Sequence, residues 1–193
     1  MHTGLAGSKV NGAAVLSVGH GAALGDDFLT SMGVYILATP TNGADTDENS
    51  GIWFLTPGSD ATLGLQLPML PPGWEYEGWT VIDGVPVTTG RFTDAEGADD
   101  ADPYSGTQGG PPFPGEDFLV NAPGGLTFPT DLAGATAVIS VEPEPDDSDA
   151  PFTLKPLVGM IPSDAADHTK YDLGNNAASF PSGRAWIRVD LPF

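Results

Sequence analysis

The sequence contains no cysteine. Disulfide staples, thiolate nucleophiles and Cys-ligated zinc are therefore excluded, while the redox compartment stays open. Cations are nearly as scarce: six Lys and Arg stand against 26 Asp and Glu, a formal charge of −20. Six cations cannot build a phosphate-neutralising surface, so nucleic acid is a poor partner, and anionic membranes are disfavoured by the same field. No apolar run approaches the ~20 residues of a membrane span. The opening MHTGLAGSKVNG lacks the charged and apolar regions of a signal peptide, so any targeting or anchoring segment is expected to lie outside this sequence. Long amphipathic helical periodicity is missing as well.

What remains is a chain of short apolar runs punctuated by 26 Gly and 19 Pro. Hydrophobic residues make up 40% of its 193 residues, enough for a core and against wholesale disorder. Strand-like runs fall at Ala13–Val18, Val34–Thr39, Ile52–Leu55, Ala135–Val141 and Phe152–Ile161. A last one alternates through RAWIRVDLPF (184–193), with Ala185, Ile187, Val189 and Leu191 on one side. Residues 1–12 read as a flexible lead-in and 13–193 as one domain. The spacing predicts an all-β, two-sheet antiparallel β-sandwich of Ig-like or Greek-key type, with long acidic and Gly/Pro-rich loops. GLQLPMLPPG (64–73) and GLTFPTDLAG (125–134) echo one another, each leading into a strand.

The strongest local signal is WEYEGWTVIDGVPVTTGRF (74–92). Asp83-Gly84 suits a type I′ turn, in which both central residues take positive φ. With those two as the loop, Ile82 pairs with Val85, Thr80 with Val87, Trp79 with Thr88 and Tyr76 with Arg91. That places Arg91 over Tyr76 as a cation–π pair. Neither face of the hairpin is cleanly polar, so Trp74, Tyr76 and Trp79 read as structural rather than as a ligand platform. Glu77 stands out, because once buried it needs a cation or several donors. The stretch 93–116 is too polar and Gly/Pro-rich to build a core and reads as an outer loop.

Catalytic patterns are missing. There is no GxSxG elbow, HExxH pair or phosphate-binding GxxxxGK[ST], so no catalytic residue is named. His20 and His168 carry no ligand spacing. Acids are so abundant that a carboxylate pair carries little information, although an acid-pair hydrolase stays open. The most specific metal signal is DAEGADDAD: Asp94, Glu96, Asp99, Asp100 and Asp102 offer clustered hard oxygens, with Gly97 for a bend, as Ca²⁺ requires. The spacing is not that of an EF-hand, and a solvated acidic loop is the plainer reading.

LPMLPPGWEYEGWTVIDGVPVTTGRF resembles the C-terminal, extracytoplasmic domain of anti-sigma-K factor (RskA-like) proteins. The likeness runs through Leu70, Pro71, Gly73, Tyr76, Trp79, Val81, Asp83, Gly84, Pro86, Gly90 and Phe92. A second block, AVISVEPEPDDSDAPFTLKPLVG, is similar to that domain at Val141, Glu142, Pro143 and Pro151. The resemblance implies a β-sandwich outside a bacterial membrane, in the periplasm or at the cell surface. Its sigma-binding part is a separate helical domain with no counterpart here, so sigma binding is not carried over.

Two expectations follow. One is a non-enzymatic extracytoplasmic module with a sensory or protein-interaction role, free or lipid-anchored, monomeric or weakly dimeric. The other is a calcium-dependent cell-surface or carbohydrate-binding module, in which exposed Trp74 or Trp53 would stack on sugar.

Overall fold

The computed structural model describes residues 4–10, 13–19, 24 and 28–181. Within them every regular element is a strand or a single turn of 3-10 helix. In chain order the strands are β1 (Gly4–Val10), β2 (Ala13–Gly19), β3 (Met32–Leu37), β4 (Gly51–Trp53), β5 (Leu55–Thr56), β6 (Thr62–Leu63), β7 (Leu65–Gln66), β8 (Trp74–Ile82), β9 (Val85–Phe92), β10 (Gly115–Asp117), β11 (Thr136–Pro143), β12 (Leu157–Met160) and β13 (Tyr171–Asn175). The lead-in expected over 1–12 contains β1, which pairs with β2. His20 and the strand expected over 184–193 lie outside the described residues.

The all-β antiparallel class is as expected. One hydrogen-bonded path runs β10-β4-β3-β13-β12-β11-β8-β9, with β7 added to β3. The two ends of that path approach one another, so the sheet nearly closes like a barrel. Its interior takes alternate residues from each strand: Tyr35 and Leu37, Ile52, Tyr76 and Ile82, Val87 and Phe92, Ile139 and Val141, Leu157 and Leu173. Ile36, Ala38, Trp53 and Leu55, one step out of phase, form a second cluster with Phe113. That is the period-two alternation of strands covered on both sides.

The β8–β9 hairpin turns as expected, with Asp83 at φ 51° and Gly84 at φ 83°. The pairs nearest the turn hold: Ile82 with Val85, Thr80 with Val87, Trp79 with Thr88. Beyond Trp79 the register shifts by one, so that Tyr76 faces Phe92 and Glu77 faces Arg91. Gly78 alone then opposes Thr89 and Gly90, a β-bulge. Gly90 sits at φ 102°, in the left-handed region that glycine tolerates. A Cβ on Gly78 would lie 2.1 Å from Thr89 Oγ1. The bulge corrects the expected cation–π pair: Tyr76 stacks on Phe92 at 5.6 Å between ring centroids, and Arg91 turns to acids.

The 93–116 connection is not wholly external. Tyr104 packs on Phe118 and Phe128, and Phe113 backs the second cluster. Its acidic half forms the seam of the barrel. Asp100 donates its N–H to Arg91 O at 2.9 Å and accepts the Arg91 N–H at 2.8 Å through Oδ1. Asp99 Oδ2 accepts the Gly115 N–H at 2.8 Å. Two aspartates thus bridge β9 to β10.

Candidate functional site

The seam separates two surfaces, and it divides the five aspartates and glutamates predicted to hold calcium. On one side Asp99, Asp100 and Asp102 line a cavity of about 220 Å³ with Thr41, Trp53 and Phe113. On the other, Asp94 and Glu96 edge a groove of about 510 Å³. Within the first group Asp99 and Asp100 are already engaged. Arg91 reaches Asp100 Oδ2 at 3.3 Å, and Asp99 is bound to Gly115. Burial pushes the Asp99 carboxyl up to about 7, against the pull of its backbone donors. Among the described residues no three His, Asp or Glu side chains are gathered to hold a metal ion.

Behind that cavity lie two buried acids that sequence reasoning missed. Asp117 accepts the Thr41 N–H at 2.8 Å and the Trp53 indole N–H at 2.8 Å, and also the Thr41 hydroxyl. Glu116 accepts the Ser105 hydroxyl, the Asp117 N–H at 3.1 Å and the Tyr104 N–H at 3.4 Å. Burial raises its pKa to about 8. These carboxyls fasten the 104–105 and 40–42 turns to β10, and Asp117 ties in Trp53 of β4. The work is structural.

The tryptophans differ in burial. Trp53 and Trp79 are buried, at 4% and 2% exposure. Gly110 lies against the Trp53 ring, where a Cβ would be 2.4 Å from Cη2. Trp53 therefore has no face to offer a sugar. Trp74 is half-buried, with its ring 6.2 Å from Phe152. Asp83 and Gly84 form the exposed turn.

The groove is chemically different. Leu63, Leu65 and Gln66 line it and also an adjoining one of about 660 Å³, so the two run together. Met69 is 87% exposed and Met32 60%, both at its walls. Asp94, Glu96 and Asp172 stand on the rim, and among the described residues no Lys or Arg lines either part. Isolated methionines in the sequence give no sign of this, because nothing local separates a surface Met from a core one.

A third hollow, of about 310 Å³, is lined mostly by polar groups, among them Asp47, Glu48, Asn49 and Asp167. His168, at φ 52°, stands beside it with Nε2 3.9 Å from Glu48. Glu48 is held by the Thr39 N–H at 3.3 Å and the Thr39 hydroxyl at 3.1 Å.

Comparison with known proteins finds no matching family model, no matching curated protein and no matching solved structure.

Proposed function

We propose that this chain is a non-enzymatic, extracytoplasmic binding module whose partner is a protein segment rich in Lys or Arg and in apolar side chains. One observation carries the reading: the continuous groove over β6–β7 has two exposed methionines in its walls and, among the described residues, acids as the charged groups on its rim. Flexible, polarizable Met surfaces repack around varied apolar side chains. The rim and the net charge of −20 favour a cationic partner, and they oppose a second copy of this chain, which is therefore monomeric or at most weakly dimeric. No described helix is long and apolar enough to cross a membrane.

The compartment rests on the resemblance of residues 70–92 and 137–159 to the outer domain of anti-sigma-K factors. Calcium is not part of this reading.

The test is titration with two model peptides of equal apolar content, one lysine-rich and one glutamate-rich. The lysine-rich peptide is expected to bind, more weakly as salt rises, and to lose about tenfold in affinity to Met69→Ser, which removes the apolar wall without changing the charge, a change on the order of 1.4 kcal/mol. Equal binding of both peptides, or a Met69→Ser protein that binds as the parent does, would sink the proposal.

A further inference from the structure

Glu77 on β8 and Glu142 on β11 belong to neither surface. Ser140 pairs with Glu77 and Glu142 pairs with Glu75, so the two glutamates are diagonal neighbours on adjacent strands. Both point away from the barrel interior, which is filled by Tyr76, Ile139 and Val141. Both are nevertheless buried, at 5% and 1% exposure. One oxygen of each is satisfied. Glu77 Oε1 accepts the Thr88 hydroxyl at 2.5 Å. Glu142 Oε1 accepts the Phe152 N–H at 2.8 Å and the Ser140 hydroxyl, which itself accepts the Trp79 indole N–H at 2.8 Å. The other oxygen of each, Oε2, is buried and finds no donor among the described residues.

Two ionised carboxylates in this arrangement would each expose a bare oxygen to dry protein and repel the other. A proton on each removes the repulsion and leaves a neutral group, which costs far less to bury than a charge. The charged groups around them do not supply an alternative. Facing Glu77 are Thr88 and Arg91 of β9, Glu142, and Asp146 of the β11–β12 connection. Facing Glu142 are Asp146 and Lys155. Arg91 is already paired with Asp100 and Glu144, and Lys155 donates to the Pro151 and Phe152 carbonyls. Glu75 opposite Glu142, with Glu144 and Asp100 near it, adds only negative charge.

The connection itself, residues 144–155, carries Glu144, Asp146, Asp147 and Asp149. It is attached where the pair sits: Phe152 N–H on Glu142, the Phe152 ring on Trp74, and Leu154 O on the Val141 N–H at 2.8 Å. We infer that Glu77 and Glu142 form a proton-binding site that latches the acidic 144–155 segment to the sheet when protonated and releases it when both protons are lost. The site gives the module a pH-dependent surface, separate from the methionine groove.

The sign follows from which state holds the protons. Burial raises Glu77 from 4.5 to about 7 and raises Glu142 as well. The attached state therefore keeps its protons to higher pH than the released one, and release grows as pH rises from about 4.5 to about 7. The experiment is hydrogen exchange on the full chain at about pH 5.5 and pH 8.5, expressed as protection factors so that intrinsic exchange cancels. Protection of the Phe152 amide is expected to fall roughly 10- to 30-fold between them, and to stay level in the Glu77→Gln, Glu142→Gln double variant. Equal protection at both pH values in the parent, or the same fall in the double variant, would overturn the latch. Should the double variant not fold, the infrared spectrum of the parent with isotope-labelled glutamate decides. Buried Glu116 contributes a band of its own, so the site is read from the single Glu77→Gln variant: carboxylic-acid bands present at the lower pH, lost at the higher one and diminished by that substitution support it, and bands that the substitution leaves unchanged overturn it.

Discussion

Asp117 on β10 and Glu142 on β11 are buried alike, at 0% and 1% exposure, yet their oxygens are treated differently. Asp117 spends both on donors: Thr41 N–H and hydroxyl on one, the Trp53 indole on the other. Glu142 spends one and leaves the other bare, a step away from Glu77 in the same condition. Burial pushes both carboxyls up; in Asp117 three hydrogen bonds pull back, in Glu142 two. A buried carboxylate survives by collecting donors or by keeping a proton. The first route makes a fixed joint, and the second makes a group whose state depends on pH.

Removing the joint has the largest expected effect. Asp117→Ala leaves three buried donors unpaired, and charge-assisted bonds of this kind contribute about 1.5–3 kcal/mol each. Because the losses overlap, the total destabilisation is expected at about 3–5 kcal/mol. Denaturant unfolding with an unchanged slope measures it. A loss below about 1 kcal/mol would mean that the Thr41 and Trp53 donors find other partners.

Gly90→Ala comes next. It tests the bulge that sets Arg91 opposite Glu77 and brings Asp99 under β9. The new methyl would sit at φ 102° and 2.4 Å from Asp99 Cγ, so strain and the displaced aspartate add. A cost of about 2–3 kcal/mol is expected in the same unfolding assay. A neutral result would show that the seam tolerates an open edge.

The pH dependence compares the two routes directly. Glu77 and Asp99 are raised to about 7 and Glu116 to about 8. Native carboxyls with raised pKa hold protons that the unfolded chain releases above its ordinary values, so their stabilisation is present at low pH and lost as pH rises. Melting temperature is therefore expected to be higher at about pH 5 than at pH 8.5, and reduced self-repulsion at the lower pH acts in the same direction. Glu77→Gln should narrow that gap, by on the order of 2 kcal/mol in stability at the higher pH. A gap unchanged by this substitution would assign the effect to Asp99, Glu116 and the net charge instead.

How much of this was legible depends on whether the cause is local. The Asp83-Gly84 turn and the pairs beside it follow from two residues and their φ requirement. The shift beyond Trp79 does not follow from the turn, although Gly78 and Gly90 inside strand patterns are the signal a bulge leaves. The seam is harder. Gly115-Glu116-Asp117 sits at the end of a Gly/Pro tract and looks like surface. What makes Asp117 a core residue is Thr41 and Trp53, 76 and 64 residues away. Asp94–Asp102 reads as one acidic cluster because spacing is all a sequence offers. The chain then bends it around β9 and sends its acids to two different cavities. Glu142 could have been read from its strand, where Val138, Ser140 and Glu142 share a face. Its bare oxygen could not, because that depends on which groups cover the face.

Arg91→Ala is the smallest expected change and the sharpest discriminator between the acidic loops. Its guanidinium joins Asp100 at 3.3 Å to Glu144 at 3.1 Å, tying the seam and the β11–β12 connection to one strand. All three side chains are about a third to a half exposed, at 32%, 47% and 45%, and exposed ion pairs contribute about 1 kcal/mol or less. Global stability should fall by no more than that, and by less in high salt. The backbone bonds between Arg91 and Asp100 survive the substitution, so the seam should keep its protection against hydrogen exchange. The 144–155 segment has no such backbone tie to β9, so its protection should drop while that of the seam holds. Equal loss at both sites would show that the seam depends on the guanidinium after all, and that its two aspartates are fastened no more firmly than the segment carrying Glu144.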